Sequence, residues 1–430
     1  MSIRQILCVA GLVLTVLPTW SQTSSPANPL SLSQALQAAR DNLEVAMARQ
    51  AVASARADIV SADRAPFPAL SAGISGWDLQ NGNGDGNVLT EKRLDKAIGL
   101  DWTWERGNKR ALRTQGAKRT AEAAQADLDE ARTQQQLAAL SSFFDLLGAQ
   151  ERSAEVAQIE HSATSLARSA TTRLNAGDLS AQDVARIEIE ARRAASDLQQ
   201  AELERQRQAL SLWQVTGIGL APEQLIAGND WPLLDTPPLS TPAPESLVDT
   251  RPDVLAARAR LQAAQSALEF ANAQKSADVT WGASYDHLPG TSTALLALRM
   301  SMPLQTSYRF EGEIARAAAQ LTQAEQLLEK TRRLAKLELQ RLQREVQTAA
   351  MRAKSYQQDI LPRARLVSAG AELAYSKGAI GLTDLLDARR TLRATLLDAL
   401  AARTDYAKAI GAWQLRTQTA GPQQASAKQP

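Results

Sequence analysis

The amino-acid sequence predicts a mostly α-helical protein with a small β part, in which long coiled-coil helices accompany four strands per chain whose length matches that of transmembrane β-strands. Two stretches of about 65 residues are nearly free of helix breakers, and four segments of about ten residues alternate between apolar and polar side chains. The order helix, strand pair, long helix, glycine and long helix occurs twice. These three observations indicate two internal repeats in one elongated subunit.

Composition excludes several classes of protein. The chain has 430 residues, 48 basic and 46 acidic side chains, and a net charge of +2, which is too balanced for a nucleic-acid partner. The single cysteine is Cys8 and the histidines are His161 and His287, so disulfides, thiolate zinc sites and histidine-rich metal sites are excluded. After the N-terminus no apolar run is long enough for a transmembrane helix.

Residues 1–21 are predicted to form a secretory signal peptide. Arg4 supplies a positive charge, residues 6–17 are apolar, and Pro18 precedes a cut before Gln22. The apolar stretch is too short to span a bilayer as a permanent helix. A buried N-terminal helix is the alternative. Cleavage removes Cys8, so the mature chain has no cysteine.

The mature chain divides into two repeats joined by an irregular connector. The predicted first repeat is 22–216 and the second is 245–416, each with a helix, a strand pair and a long helical hairpin. The connector, 217–244, is rich in glycine and proline. The tail, 417–430, carries Gly, Pro, Gln and Ser and is expected to be disordered.

The strands are predicted from the period-two alternation of apolar residues, which is clearest in three segments and weaker in the first. The segments are 70–78, 94–104, 278–286 and 293–302. Within each repeat the two strands are joined by a loop of Gly, Asn or Pro residues.

Two interpretations of these strands compete. A small soluble sheet would alternate in the same way, but four strands are too few to bury both faces. Ten tilted residues match the strand length that crosses a bilayer, and Trp and Tyr lie near the strand ends. Four strands cannot close a barrel, and an open edge in lipid is forbidden. If the strands are transmembrane, several chains must therefore share one barrel.

The long helices are predicted over 108–174 and 311–377, the second interrupted near Pro362. In the second stretch an apolar residue recurs every seven positions, from Ile314 to Ala349, as in a coiled-coil seam. The shorter helix of the first repeat is expected to run from about residue 30 to 63, with Ser31 or Ser33 as its N-cap.

Residues 374–392 carry the most specific resemblance to a known family. This segment, AYSKGAIGLTDLLDARRTL, is similar to the second hairpin tip of the TolC-type outer-membrane efflux proteins. Residues 173–184 form its first-half counterpart, and Arg251-Pro252-Asp253-Val254 is a further match. The resemblance covers about residues 30–416.

This resemblance implies a trimeric outer-membrane channel without catalysis or cofactor. The implied fold is a 12-stranded β-barrel continued by an α-helical barrel through the periplasm. The implied partners are two further copies of the chain, the lipid bilayer, a periplasmic adaptor (membrane fusion protein) and an inner-membrane pump of the RND or ABC type. The implied function is passive conduction of drugs, metals or other small molecules out of the cell.

Two carboxylates at the second tip are candidate gate residues. Asp384 and Asp387 are three positions apart on a helix and share a face, so a trimer would bring six carboxylates around one mouth. Such a ring attracts cations and repels anions. The resemblance implies that both line the periplasmic constriction. A solvated helix start, with Asp384 near the helix dipole, is the alternative.

The resemblance also implies residues that hold the entrance shut and residues that dock the adaptor. Tyr375 and Asp183 match positions whose links between neighbouring hairpins stabilise the closed state. Ile380 stands where the family prototype has a basic residue, so closure is expected to rest on hydrogen bonds and packing. The adaptor-docking residues lie at the two tips: Gly177, Asp178, Leu179, Gly378, Ala379 and Ile380. An ordinary glycine C-cap is the alternative for both tips.

No enzyme class fits the sequence. Neither histidine lies in a triad-like arrangement, and the glycine-rich run at 81–87 joins two strands instead of opening a phosphate-binding helix. Two other functions stay open, which are a duct for type I protein secretion and a non-conducting periplasmic coiled-coil scaffold. The scarcity of His, Cys and Met argues against a metal-chelating lumen, although a passive tunnel needs no ligands for its cargo.

Overall fold

The computed structural model describes residues 29–87, 93–234, 245–289 and 291–418. The helices are α1 Leu32–Ala39, α2 Leu43–Ala62, α3 Lys109–Asn175, α4 Ala181–Thr216, α5 Glu245–Asp249, α6 Pro252–Ala273, α7 Glu311–Ser355, α8 Leu361–Ser376 and α9 Leu382–Gln418. The strands are β1 Ala69–Ser75, β2 Asp95–Trp104, β3 Val279–Leu288 and β4 Ser292–Ser301. The predicted signal peptide and most of the predicted tail lie outside the described residues, although Thr417 and Gln418 still belong to α9.

The four strands form one antiparallel sheet in the order β1-β2-β3-β4. The two hairpins, one from each half of the chain, meet where β2 pairs with β3, with Trp102 opposite Trp281. Strand β1 ends at Ser75 and is shorter than predicted because Gly76 has a φ of +77°, which interrupts the extended backbone. The halves are thus joined edge to edge in a single sheet.

The two faces of the sheet differ in chemistry. One face exposes large apolar side chains: Leu70, Ile74, Ile98, Leu100, Trp102, Trp104, Trp281, Tyr285, Leu296, Leu298 and Met300. On the other face Arg299 reaches over Gly282 to Asp101, with 2.8 Å between Nη2 and Oδ1. A Cβ at Gly282 would lie 2.5 Å from that Asp101 oxygen, so a larger residue there would displace the Asp101–Arg299 ion pair. The apolar face suits lipid and the polar face suits a lumen.

Helices α3, α4, α7 and α9 give the subunit its length. Helix α3 has 67 residues and spans about 100 Å at 1.5 Å per residue. The thickest core lies halfway along it, where Phe143 and Phe144 pack edge to face with ring centroids 5.5 Å apart, and Phe144 stacks on Trp231 of the connector. This core ties the connector to the long hairpin.

The shorter helix of each half is broken near its start, which corrects the single helix predicted over 30–63. Ser31 caps α1 through a capping box with Gln34, whereas Ser33 lies inside the helix. Asn42 then starts α2, because its side chain accepts a hydrogen bond from the Val45 N–H. In the second half the break falls between α5 and α6, before Pro252.

The coiled-coil seam of α7 is confirmed by its burial pattern. Ala335 and Leu342 are buried, and the other predicted seam residues are half-buried: Ile314, Leu321, Leu328 and Ala349. The predicted interruption near Pro362 is a π-helical turn, Tyr356–Ile360, directly before α8. Proline lacks the N–H that would continue the regular hydrogen bonds, so the wider turn accommodates it.

The helices in the described ranges are too polar to cross a membrane as α-helical spans.

Candidate gate at the hairpin tips

The two hairpin tips have the same backbone structure. Two residues after the end of α3 lies Gly177 with a φ of +81°, and two residues after the end of α8 lies Gly378 with a φ of +73°. The N–H of the next residue bonds to the carbonyl five positions back, from Asp178 to Arg173 and from Ala379 to Ala374. This is the Schellman arrangement, which requires a left-handed residue. Both tips are therefore sharply defined turns.

Replacing either tip glycine by alanine should destabilise its turn by about 1 kcal/mol, because alanine resists the left-handed conformation. Nothing lies within 4 Å of an added Cβ at Gly177 or Gly378, so the cost is confined to the backbone. Hydrogen exchange of the tip amides should accelerate about fivefold. Gly370→Ala is the matched control, since Gly370 lies inside α8 with equally open space and should gain helix stability. Equal exchange in all three variants would contradict the prediction.

Each turn is followed by a helix with an aspartate in its third position. Ser180 caps α4 by accepting from the Asp183 N–H and donates its hydroxyl to the Asp183 carboxylate at 2.7 Å. In α9 the equivalent aspartate, Asp384, accepts from the Gly381 N–H at 3.3 Å. A carboxylate in the first turn is stabilised by the helix dipole. Each aspartate therefore contributes locally to its own helix start, whatever further role it has.

The two tips of one subunit pack against each other through a small apolar cluster. Its buried members are Ala170, Val184, Ile187 and Leu382. Tyr375 packs against this cluster, and the Arg173 guanidinium lies 5.9 Å from its ring centroid. Within the chain Tyr375 is thus placed beside Arg173, while Asp183 bonds to Ser180. A link between Tyr375 and Asp183 of neighbouring subunits stays a prediction.

The predicted gate carboxylates Asp384 and Asp387 are both exposed on the same side of α9. The side chain of Asp387 is 65% exposed and lies 3.5 Å from Arg390, one turn along the helix. The backbone therefore presents both carboxylates to solvent from one face, as the ring hypothesis requires. Their arrangement around a threefold axis stays a prediction.

Three arginines of α9, which the sequence analysis left unassigned, connect the helices near the tip. Arg390 pairs with Glu190 and Arg393 pairs with Asp197, so both join α9 to α4 of the first hairpin. Arg389 pairs with Glu372 of α8 at 2.9 Å. The hydrogen bond that Arg390 donates to the Glu190 carboxylate raises the pKa of Arg390 above its usual value. The pairs of Arg390 and Arg393 supply a charged connection between the two hairpins that Ile380 cannot provide.

A cavity of about 250 Å³ lies between the two hairpins beside these ion pairs. Its lining is mainly apolar, including Ile159, Leu166 and Leu396, and Arg390 and Glu190 border it. The hairpins are therefore less tightly packed here than at the tip cluster. Ion pairs, more than apolar contact, hold α9 to α4 at this level.

The predicted docking residues lie at the ends of the hairpins. Gly177, Asp178, Gly378 and Ala379 are exposed, whereas Leu179 and Ile380, which occupy equivalent positions, are half-buried. In the described part of the chain, His, Cys, Asp and Glu do not come together in groups of three or more suited to a metal ion. The tips thus present small exposed residues and acidic groups to solvent.

Comparison with known proteins gives the same fold and a family. The model of the family "Outer membrane efflux protein" matches residues 32–218 and 243–412. The cobalt-zinc-cadmium resistance protein CzcC of Cupriavidus metallidurans is 28% identical over 375 residues, which cover 85% of this chain and 84% of CzcC.

Two solved structures illustrate the similarity of fold. The CmeC outer membrane channel of Campylobacter jejuni superposes with a TM-score of 0.76 at 15% identity, covering 99% of this chain and 96% of CmeC. The outer membrane protein VceC of Vibrio cholerae gives a TM-score of 0.73 at 19% identity, covering 90% and 95%.

The family match spans most of the chain, and the described structure has the long helices and four-stranded sheet expected of that family. The protein is therefore non-enzymatic, with strands in the outer membrane and helices extending into the periplasm. Channels of this family function as trimers in tripartite efflux systems. The chain belongs to the outer membrane efflux protein family and is the outer-membrane channel of a tripartite efflux pump.

Proposed function

We propose that this channel exports metal cations, which enter through a periplasmic mouth ringed by Asp384 and Asp387. The observation that carries the proposal is the exposed stripe of α9. Counted in steps of three and four residues, the exposed positions after Asp384 are 387, 391, 394, 398, 401 and 405. Two further carboxylates, Asp398 and Asp405, lie on this stripe. A regular row of carboxylates favours cations along its length.

The charge of this stripe is only partly compensated. Asp405 pairs with Arg352 at 3.0 Å and Asp387 lies 3.5 Å from Arg390, both between exposed partners. Exposed pairs of this kind are weak and are screened by salt, so a passing cation can compete with the arginines. At 1.5 Å per residue the stripe extends about 30 Å from Asp384 to Asp405. Three subunits would therefore carry an acidic surface well beyond the mouth itself.

The named relative supports a metal cargo. CzcC is a cobalt-zinc-cadmium resistance protein, and its similarity covers most of both chains. The carboxylates of the stripe are spaced along α9 instead of being gathered around one point, which suits passage better than tight binding.

We propose the tips as the docking site for a periplasmic adaptor, with an inner-membrane pump of the RND or ABC type supplying the energy. The exposed tip residues Gly177, Asp178, Gly378 and Ala379 and the half-buried Leu179 and Ile380 are its contact surface. Tyr375 and Asp183 are proposed to link neighbouring hairpins in the closed state. The division of the chain into domains is likewise proposed. It consists of a signal peptide, 1–21, a first repeat, 22–216, a connector, 217–244, a second repeat, 245–416, and a tail, 417–430.

Removing the ring charges should reduce cation selectivity in planar bilayers. In Asp384→Asn/Asp387→Asn trimers, six carboxylates disappear from one mouth. In a water-like dielectric each carboxylate attracts a passing monovalent cation by less than about 1 kcal/mol. The cation-to-anion permeability ratio should therefore fall several-fold when they are removed. The reversal potential under a salt gradient measures this ratio. Glu329→Gln, which removes an exposed carboxylate from α7, is the control and should leave the ratio unchanged.

The cargo is tested in cells that lack the chain. Deletion should increase sensitivity to cobalt, zinc and cadmium salts, and the wild-type gene should restore resistance. Sensitivity to dyes and detergents without a change toward metals would refute the metal proposal and leave the family assignment intact. Wild-type selectivity in the ring variant would refute only the assignment of the ring.

A further inference from the structure

The rim where the sheet meets the helices carries charges that the channel function does not use. Four connections form it: 63–68, 105–108, 274–278 and 302–310. Because the strands lie in the outer membrane and the helices in the periplasm, this rim lies at the membrane surface that faces the periplasm. We refer to these four connections as the periplasmic rim.

Three carboxylates of the periplasmic rim are paired with cations of the first turns of α3. The pairs are Asp63 with Arg110 at 3.0 Å, Glu105 with Arg113 at 2.5 Å, and Asp278 with Lys109 at 2.8 Å. The Lys109 side chain is only 5% exposed, and Asp278 also accepts from the Arg106 N–H. These acidic groups therefore fasten the rim to α3 and are not available to other cations.

Four basic side chains of the periplasmic rim are exposed: Arg64, Arg106, Lys275 and Arg309. None of them forms an ion pair with a carboxylate of the residues that the structure describes. Glu311, two residues after Arg309, accepts a hydrogen bond from the Arg309 N–H and lies within reach of the charges of Lys275 and Arg309. The rim thus keeps a surplus of positive charge at its surface.

Arg106 shows where this charge lies relative to the apolar face. Its Nη1 is 3.8 Å from the sulfur of Met302, which directly follows β4 and is 41% exposed. Trp104, two residues before Arg106, is 57% exposed on the apolar face of β2. The guanidinium therefore lies at the periplasmic border of the apolar surface that contacts lipid tails.

We propose that the periplasmic rim binds the phosphate groups of anionic phospholipids in the leaflet that faces the periplasm. A guanidinium donates two parallel hydrogen bonds to a phosphate, and a basic residue near an anionic surface strengthens attachment about fivefold. The exposed Met302 lies against Arg106 and the exposed Trp104 precedes it by two residues on the apolar face, so both would contact the acyl chains of the same lipid. A trimer presents twelve such basic side chains, enough for a shell of bound lipids.

The juxtaposition of charge and apolar surface distinguishes a lipid from a soluble anion. Free phosphate would use the arginines alone, whereas a phospholipid also covers the indole rings above them. The proposal is independent of the exported substrate, because it concerns the outside of the barrel and not the lumen.

The test compares lipid retention by purified trimers of the full chain. Native mass spectrometry of detergent-solubilised trimers is performed with phosphatidylglycerol or phosphatidylcholine of identical acyl chains. We expect wild-type trimers to retain phosphatidylglycerol preferentially. Arg106→Gln/Arg309→Gln should weaken that retention by about 30-fold while leaving phosphatidylcholine unaffected. Arg106→Lys/Arg309→Lys should keep most of it, which shows that the trimer still folds.

The matched control is Arg207→Gln/Arg333→Gln, which removes two exposed arginines from the long helices. It should retain phosphatidylglycerol as the wild type does. Equal retention of the two lipids by the wild type, or an equal loss in the control variant, would overturn the proposal. Displacement of the bound lipid by millimolar glycerol phosphate alone would assign the rim to a soluble anion and would overturn it as well.

Discussion

Replacing Arg251 by methionine should lower the free energy of unfolding of the subunit by about 3–5 kcal/mol, because it removes one member of a buried charge network. Arg251 is 2% exposed, and its guanidinium bonds to both oxygens of Asp253 and to Glu338 of α7. Burial lowers the pKa of Arg251, but its hydrogen bonds to Asp253 and Glu338 outweigh that effect and raise it. The residue is therefore charged, and its carboxylate partners depend on it.

The network continues to a second buried arginine. Arg416 of α9 is 4% exposed, lies 3.1 Å from Glu338 and bonds to both oxygens of Glu130 of α3. Glu338 thus joins the two arginines, and the network connects α3, α6, α7 and α9. Without Arg251, the negative charge of Asp253 and part of that of Glu338 lose compensation in a poorly hydrated site.

Urea unfolding in detergent micelles, followed by circular dichroism, measures the effect. Arg258→Met is the matched control, since Arg258 is 42% exposed and its half-buried partner Asp249 keeps an ion pair with Arg332, so its loss should cost less than about 1 kcal/mol. Glu338→Gln should destabilise the subunit as strongly as Arg251→Met because both arginines contact it. A cost below about 1 kcal/mol for both variants would show that the ion pairs only offset the penalty that the wild type already carries for burying Arg251, whose Nη1 has no hydrogen-bond partner among the described residues.

The sequence predicts the local structure around Arg251 better than it predicts the buried charge network. The segment Arg251-Pro252-Asp253-Val254 supports the family resemblance, and Pro252 starts a helix as expected. The burial of Arg251 was not predictable, because Glu338 lies 87 residues away and its approach depends on how α6 and α7 pack. Local patterns determine strands and helix caps, whereas charge burial depends on tertiary register.

The same distinction applies at the tips. The exposed pair Asp384 and Asp387 was predictable because three residues on a helix define a face. The pair of Arg390 with Glu190 spans 200 residues, so no periodicity within one helix indicates it. The segment 374–392, which carries the family resemblance, contains Arg389 and Arg390, but the resemblance implies no role for either arginine.

Reversing the charge at Arg390 should open the channel. In Arg390→Glu, the ion pair with Glu190 becomes a repulsion between α9 and α4, directly beside the inter-hairpin cavity. Glu190 is 19% exposed and Arg390 is 54% exposed, so a loss of about 1 kcal/mol per subunit is expected. If three subunits open together, about 3 kcal/mol changes the ratio of closed to open channels about 100-fold. Single-channel recordings should then show predominantly open trimers.

The reciprocal exchange separates this ion pair from a general loss of structure. Arg390→Glu/Glu190→Arg restores opposite charges at the same two positions and should return most channels to the closed state. Arg393→Glu/Asp197→Arg tests the neighbouring pair in the same way. Arg390 also lies 3.5 Å from Asp387, so its reversal adds negative charge beside the proposed ring and should increase cation selectivity while the channel opens. Closed Arg390→Glu trimers, or open trimers in the double exchange, would show that the apolar tip cluster holds the hairpins together without the arginine.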